Sequence, residues 1–306
     1  MKVPVTVIIP TLNCRVKLKR HLDGIEDWLP LAGEVIAVDS NSSDGTKELL
    51  EKRLNPYGAK IISTRPGLYQ AWNLAAANAT QPYVYYSTVC DIIGKKEFLE
   101  LTSLIINSNT DVIISPPKIV SYDGINMENI KWPIHYVLKY LNFHKGITIL
   151  DDLQKQYMVS VFFPASIIGS SASNLYRTEV IKENPFPSDV GSVGDTFWAL
   201  RNIPSLKVGI AEKEYATFCW DGVRNGEWDE SGEITAKFRN ESIKLDHGPH
   251  TIGYINDRIL EECLQLRAYV RCIERPLVLK IKDTVLTYTS VRFWFNKIVA
   301  RIKFSK

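Results

Sequence analysis

Apolar residues fall along the first 120 positions in two alternating rhythms. Val5-Thr6-Val7-Ile8-Ile9 is a β-branched run closed by Pro10, the pattern of a strand buried on both faces. Leu18, Leu22, Ile25 and Leu29 then repeat at the spacing of an amphipathic helix. Glu34 to Val38 reads as a second buried strand ending at Asp39. The polar loop Ser40 to Gly45 follows, and N-capping residue types there predict a helix over about Thr46–Leu54. Lys60 to Ser63 is a short third strand, and Leu68, Trp72, Ala75 and Ala79 mark another helix. Tyr83 to Tyr86 and Asp111 to Ser115 are a fourth and a fifth strand. Strand and helix in regular alternation predict an α/β protein, a mostly parallel sheet flanked by helices. Such sheets bind ligands outside the carboxyl ends of their strands. Asp39 and Asp91 fall at or just after two of those ends.

Beyond residue 120 the rhythm weakens. Residues 120–165 are rich in Tyr, Trp and His. Ser170 to Arg201 returns to loop, strand and helix signals, and 251–290 reads as helical and then mixed, broken at Pro276. At the end, Val291, Trp294, Phe295, Ile298, Val299 and Ile302 trace one apolar helical face among Arg292, Lys297, Arg301, Lys303 and Lys306. The expected division is an α/β unit over 1–215 and a C-terminal region over 216–306 that ends in this basic helix.

Composition narrows the function classes. The 306 residues carry 37 Lys and Arg against 34 Asp and Glu, with 45% apolar and 23% charged residues, an ordinary globular balance. A net charge of +3 argues against a dedicated nucleic-acid binder. No stretch reaches the ~18 apolar residues of a spanning helix, and the N-terminus lacks a signal-peptide apolar region. Cys14, Cys90, Cys219, Cys263 and Cys272 have no metal-ligand spacing, so reduced thiols in a cytoplasmic setting are expected. Charge is unevenly spread: residues 251–306 hold 11 basic against 5 acidic side chains, and the rest of the chain leans acidic. A basic helix with an aromatic apolar face suits an anionic membrane interface. The same pattern also suits a C-terminal helix docked on the core. The first strand is not followed by the glycine pattern of a dinucleotide fold, and no P-loop and no G-x-S-x-G elbow occurs.

The strongest local signal is Asp39-Ser-Asn-Ser-Ser-Asp44-Gly45-Thr46, two carboxylates in a polar turn between strand and helix. A carboxylate at a strand end can accept hydrogen bonds from a base N–H or a ribose hydroxyl. Asp44 could equally cap the following helix, and Asp39 could tighten an Asx-turn.

Taken with Val7-Ile8-Ile9-Pro10-Thr11-Leu12-Asn13, this stretch resembles the opening of the family 2 glycosyltransferases, enzymes of the GT-A fold that use nucleotide-sugar donors and usually invert the anomeric centre. The resemblance covers residues 4–100 well and 168–201 more loosely. It implies that Pro10, Thr11 and Asn13 line the nucleotide pocket and that Asp39, with Asp44 in the same loop, holds the nucleoside. Gly67 to Asn73 would help bind the donor, with Asn73 standing in the family's Arg-Asn pair. After the fourth strand the family places adjacent acidic residues that hold Mg²⁺ or Mn²⁺ against the donor phosphates. This chain reads Ser87-Thr88-Val89-Cys90-Asp91, which leaves Asp91 as the expected metal ligand beside a thiol ill suited to a hard cation. Gly194-Asp195-Thr196-Phe197-Trp198-Ala199-Leu200-Arg201 resembles the family's helix bearing the catalytic base, so Asp195 is the expected base, with Gly194 where the family has Glu. Asp195 as a helix N-cap is the plainer alternative.

Downstream, Trp220, Arg224 and Trp228 offer aromatic faces for a sugar and a cation for a diphosphate. His247 and His250 read as a solvated turn. The expected function is transfer of a sugar, UDP-linked by resemblance, to a hydroxyl of a glycan or lipid-linked glycan. The expected place is the cytoplasm, with peripheral membrane contact through 291–306. A transferase-like protein that binds a nucleotide sugar or a partner without turnover is the alternative, motivated by Cys90 and Gly194.

Overall fold

The computed structural model describes residues 2–128, 130–161, 166–191 and 194–220. Strands are β1 (Val3–Thr11), β2 (Ala32–Asp39), β3 (Lys60–Ser63), β4 (Tyr83–Tyr86), β5 (Ile92–Ile93), β6 (Val112–Ile114), β7 (Lys118–Ser121), β8 (Ile147–Ile149), β9 (Asn174–Arg177), β10 (Val208–Ala211) and β11 (Ala216–Trp220). Helices are α1 (Arg15–Ile25), α2 (Thr46–Leu54), α3 (Leu68–Asn78), α4 (Lys95–Ser108), α5 (Pro133–Val137), α6 (Asp152–Val161), α7 (Thr178–Glu183) and α8 (Gly194–Asn202).

Eight strands form one sheet in the order β3-β2-β1-β4-β9-β6-β10-β8, and β5-β11-β7 form a second, smaller one. β1, β2, β3 and β4 run parallel, as do β6 and β10. Departures from the expected pattern are the edge strand β8, antiparallel to β10, and β9, which runs antiparallel between β4 and β6. The amino end of β9 therefore lies at the same sheet edge as the carboxyl ends of its neighbours.

The apolar strand β1 divides its side chains between two cores, as strand alternation requires. Val7 and Ile9 pack with Leu18, Leu22 and Ile25 of α1. Ile8 faces the other way, into a cluster with Trp72 of α3, Tyr86 of β4 and Trp198 of α8. Phe98, Leu101 and Ile105 bury the inner face of α4. β11, which begins at the boundary expected after residue 215, pairs with β5 and β7.

Candidate active site

The sheet order turns at β1: β2 and β3 lie to one side and β4 to the other. That is a topological switch point, where the chains leaving adjacent strands diverge and open a crevice. β4 follows β1 only as far as Ile8 opposite Tyr86, while β1 runs on beside β2 to Thr11 opposite Asp39. Pro10 sits past the last β4 rung, where a missing N–H costs no ladder bond on that side.

Two loops close over the β1–β2 end and are tied together across about thirty residues of sequence. The Asn13 N–H donates to Ser42 Oγ at 2.9 Å, and Asn13 Oδ1 accepts from the Ser43 N–H at 2.9 Å. Asp44 Oδ2 accepts from the Arg15 N–H (3.0 Å), while its Oδ1 accepts from the Thr46 N–H (3.0 Å) and hydroxyl (2.6 Å). One carboxylate therefore caps the first turns of both α1 and α2, where free N–H groups and the helix dipole favour negative charge. The Thr46 hydroxyl and then the Arg15 N–H hold the Asp44 carboxyl below its ordinary value. Asp39 is 1% exposed at the floor of this pair, accepting from the Ser42 N–H at 3.0 Å, with the Thr11 hydroxyl at 3.4 Å. Asp39 thus bonds three residues on in its own loop and Asp44 serves the first N–H of each helix, while Asn13, at φ 44°, stands exposed at the rim.

Across the crevice, Asp91 is 6% exposed. Its Oδ2 accepts from the hydroxyls of Thr88 (2.6 Å) and Ser170 (3.1 Å), and its Oδ1 accepts from the Cys219 N–H (3.0 Å). The carboxylate joins the loop after β4, the turn before β9 and β11. Buried His21 braces the same loop from α1, with Nε2 3.0 Å from Ser87 Oγ, and burial lowers its pKa to about 4, so the ring is neutral. No sequence signal marked His21, an isolated His on the apolar face of a helix.

Asp195 lies in the first turn of α8. Its Oδ1 accepts from its neighbour, the Thr196 N–H (2.7 Å), and from the Tyr69 hydroxyl (3.2 Å). Among the described residues no donor reaches Oδ2. The residue keeps partial exposure while its carboxylate is enclosed by protein, and that desolvation raises its pKa to about 6 against the smaller opposing effect of the hydrogen bonds. A carboxylate so placed changes charge close to neutral pH, as a general base should.

The model of the glycosyl transferase family 2 matches residues 6–172. The chain belongs to that family. A curated relative, poly(ribitol-phosphate) beta-N-acetylglucosaminyltransferase TarS of Staphylococcus aureus, is 23% identical over 205 residues, covering 64% of this chain and 32% of the relative, so the chain spans about a third of that protein. The solved TarS 1–349 in complex with UDP-GlcNAc aligns with a TM-score of 0.56 at 18% identity, covering 88% of this chain and 81% of that one. The mannosyltransferase PcManGT from Pyrobaculum calidifontis, solved with GDP-Man and Mn²⁺, aligns at 0.54 and 16% identity, covering 99% and 87%. These likenesses show the GT-A fold.

The family's divalent ion can be weighed against the donor set. A hard cation needs several oxygen ligands, carboxylates foremost. Asp91 already accepts three hydrogen bonds, its chain neighbour Cys90 is a thiol, and among the described residues no three His, Cys, Asp or Glu come together as a metal group. Among the described residues, therefore, Asp91 stands without the further oxygen ligands that a chain-held ion needs. As an internal anchor, Asp91→Ala should cost on the order of 3 kcal/mol, because one buried and two part-buried donors lose their acceptor. Thermal melts should show the same loss with and without saturating Mn²⁺; a loss seen only with Mn²⁺ present would make Asp91 a ligand.

Other expected site residues divide sharply. The Asn73 side chain donates to the Phe186 carbonyl (2.7 Å) and accepts from the Phe186 N–H (2.9 Å), so it holds the segment before α8. Trp220 ends β11 half-buried, its ring 6.4 Å from that of Phe218. Arg224, Trp228, His247, His250 and the basic segment 291–306 lie outside the described residues. Among the described residues no helix is long and apolar enough to cross a membrane.

Proposed function

We propose that this family 2 chain is an inverting glycosyltransferase, with a nucleotide sugar bound in the β1–β4 crevice and an acceptor hydroxyl deprotonated by Asp195. The carrying observation is the Asp195 carboxylate, with one oxygen held, the other without a donor among the described residues, and a pKa raised to about 6. The paired loops at Asn13 and Ser42–Asp44, with Asp39 and Thr11 beneath, form the nucleoside end. Their hydrogen bonds to one another fix the pocket before the donor arrives, which lowers the ordering cost of binding.

A UDP-linked donor is the proposed class, supported by the UDP-GlcNAc complex of TarS. The proposed acceptor is a hydroxyl of a glycan or lipid-linked glycan, supported by the polymer named in the curated relative. No step is assigned to a metal. Peripheral membrane contact through 291–306 belongs to the same proposal, and liposome co-sedimentation of the full chain against a 1–290 truncation tests it.

Nucleotide release should be screened with UDP- and GDP-sugars and a panel of glycan acceptors, for wild type and Asp195→Asn. Acceptor-dependent release with one donor class, lost in the variant, is expected. Saturable nucleotide binding with no release from any donor would replace this reading with that of a binding protein.

A further inference from the structure

The contact that fixes Asp195 comes from 126 residues away in sequence. Tyr69 stands in the first turn of α3, the helix that carries the chain from β3 to β4. We propose that Tyr69 is a positioning residue for Asp195, its hydroxyl holding Oδ1 so that Oδ2 is left as the proton acceptor. This rests on the reading of Asp195 as the base.

Three observations support it beyond the hydrogen bond itself. First, the Tyr69 ring cannot swing. It is 3% exposed, stacked on Phe186 with centroids 5.8 Å apart and edge-on to Trp72 at 5.3 Å. Second, the start of α8 is built against that ring. A Cβ added to Gly194 would lie 2.6 Å from Tyr69 Cδ2 and Cε2 and 2.5 Å from the Pro187 carbonyl oxygen, closer than real contacts allow. Only glycine lets the backbone come near enough for the hydroxyl to reach the next residue's carboxylate. Third, the neighbours of Tyr69 on α3 fasten the same segment. The Gln70 amide donates to the Ser188 carbonyl at 3.1 Å, and Asn73 is paired twice with the backbone of Phe186. The first two turns of α3 therefore carry the approach to the base as one piece.

The chemistry agrees. A hydroxyl donating to a carboxylate in a desolvated site favours the ionised form and fixes which oxygen is free. Burial keeps the Tyr69 hydroxyl protonated far above neutral pH, so it remains a donor throughout the working range. Among the described residues, Tyr176 of β9 also acts with Asp195 and is likewise held neutral by burial.

The test compares pH profiles of kcat/KM and kcat for wild type, Tyr69→Phe, Asp195→Asn and the double variant. Tyr69→Phe keeps the ring and its stacking. It should lower kcat about tenfold with the donor KM nearly unchanged, and move the acidic limb upward by about one pH unit, because the carboxylate loses a donor. In the Asp195→Asn background the same change should cost nothing further, since its effect passes through that carboxylate. An unmoved acidic limb, or an equal loss in both backgrounds, overturns the positioning role and leaves the base reading standing. Full activity in Asp195→Asn would instead remove the base reading itself.

Discussion

Asp195→Asn is expected to lower kcat by about a thousandfold or more and, at pH 8, to raise the melting temperature. The first effect follows from losing the proposed general base, a kind of group that contributes on the order of 10²–10⁴ in rate. The second follows from linkage. Burial raises the folded-state pKa of Asp195 to about 6, above the ordinary carboxylate range of the unfolded chain. The folded protein therefore binds this proton more tightly than the unfolded chain does. Wild-type stability should fall as pH rises from about 4 to about 6 and stay lower above that. Full desolvation would make the difference about 3 kcal/mol; the partial exposure of the residue reduces it to about 1–2 kcal/mol. Asparagine keeps an acceptor for the Thr196 N–H and the Tyr69 hydroxyl and removes the charge. Melts at pH 4, 6 and 8 should show the two proteins converging at the acid end and separating at the alkaline end. The activity of the wild type should rise with pH through about 6. A variant less stable at pH 8 would show that the carboxylate is not a desolvated charge.

Gly194→Glu is the second large effect, and it runs against the family pattern. Glutamate stands before the base in the usual form of the motif, so the substitution looks like a repair. In this chain the space is filled: the new Cβ would meet the Pro187 carbonyl at 2.5 Å and the Tyr69 ring at 2.6 Å. A backbone carbonyl and a stacked ring cannot yield as a flexible side chain would, and overpacking of this kind costs on the order of 3 kcal/mol. The expected result is a melting temperature several degrees lower, with activity lost together with the Tyr69–Asp195 bond. Gly194→Ala should show the same direction with a smaller loss. A Gly194→Glu protein as active and as stable as wild type would mean that α8 starts elsewhere.

Much of the donor half was legible in the sequence, because its signals are local. The β-branched runs before Pro10 and Asp39, the helix Thr46–Leu54 and the turn between them are written in consecutive residues, and the structure has them at those positions. The direction of β9 was not legible, since four residues with no turn signal say nothing about which way they enter a sheet. Nor was the second sheet, whose two-residue strand β5 pairs with a strand more than 120 positions on. Asp195 could be singled out by the motif around it, whereas Tyr69 could not, because a tyrosine in the first turn of a helix carries no mark of a partner 126 residues away. Asn73 shows the converse. Its position matched a donor-binding motif, but its amide pairs with a backbone amide that only the folded chain supplies.

The fastening of the 186–195 segment to α3 has a consequence for how such a chain can diversify. Asp195, the proposed base at the start of α8, is tied to the helix that leaves β3 through Tyr69, Gln70 and Asn73. Sequence drift in the connection between α7 and α8 must keep those three anchors if the carboxylate is to keep its place beside the first half of the sheet. In a fold of this construction, the distance from the β1–β4 crevice to Asp195 is inherited with α3.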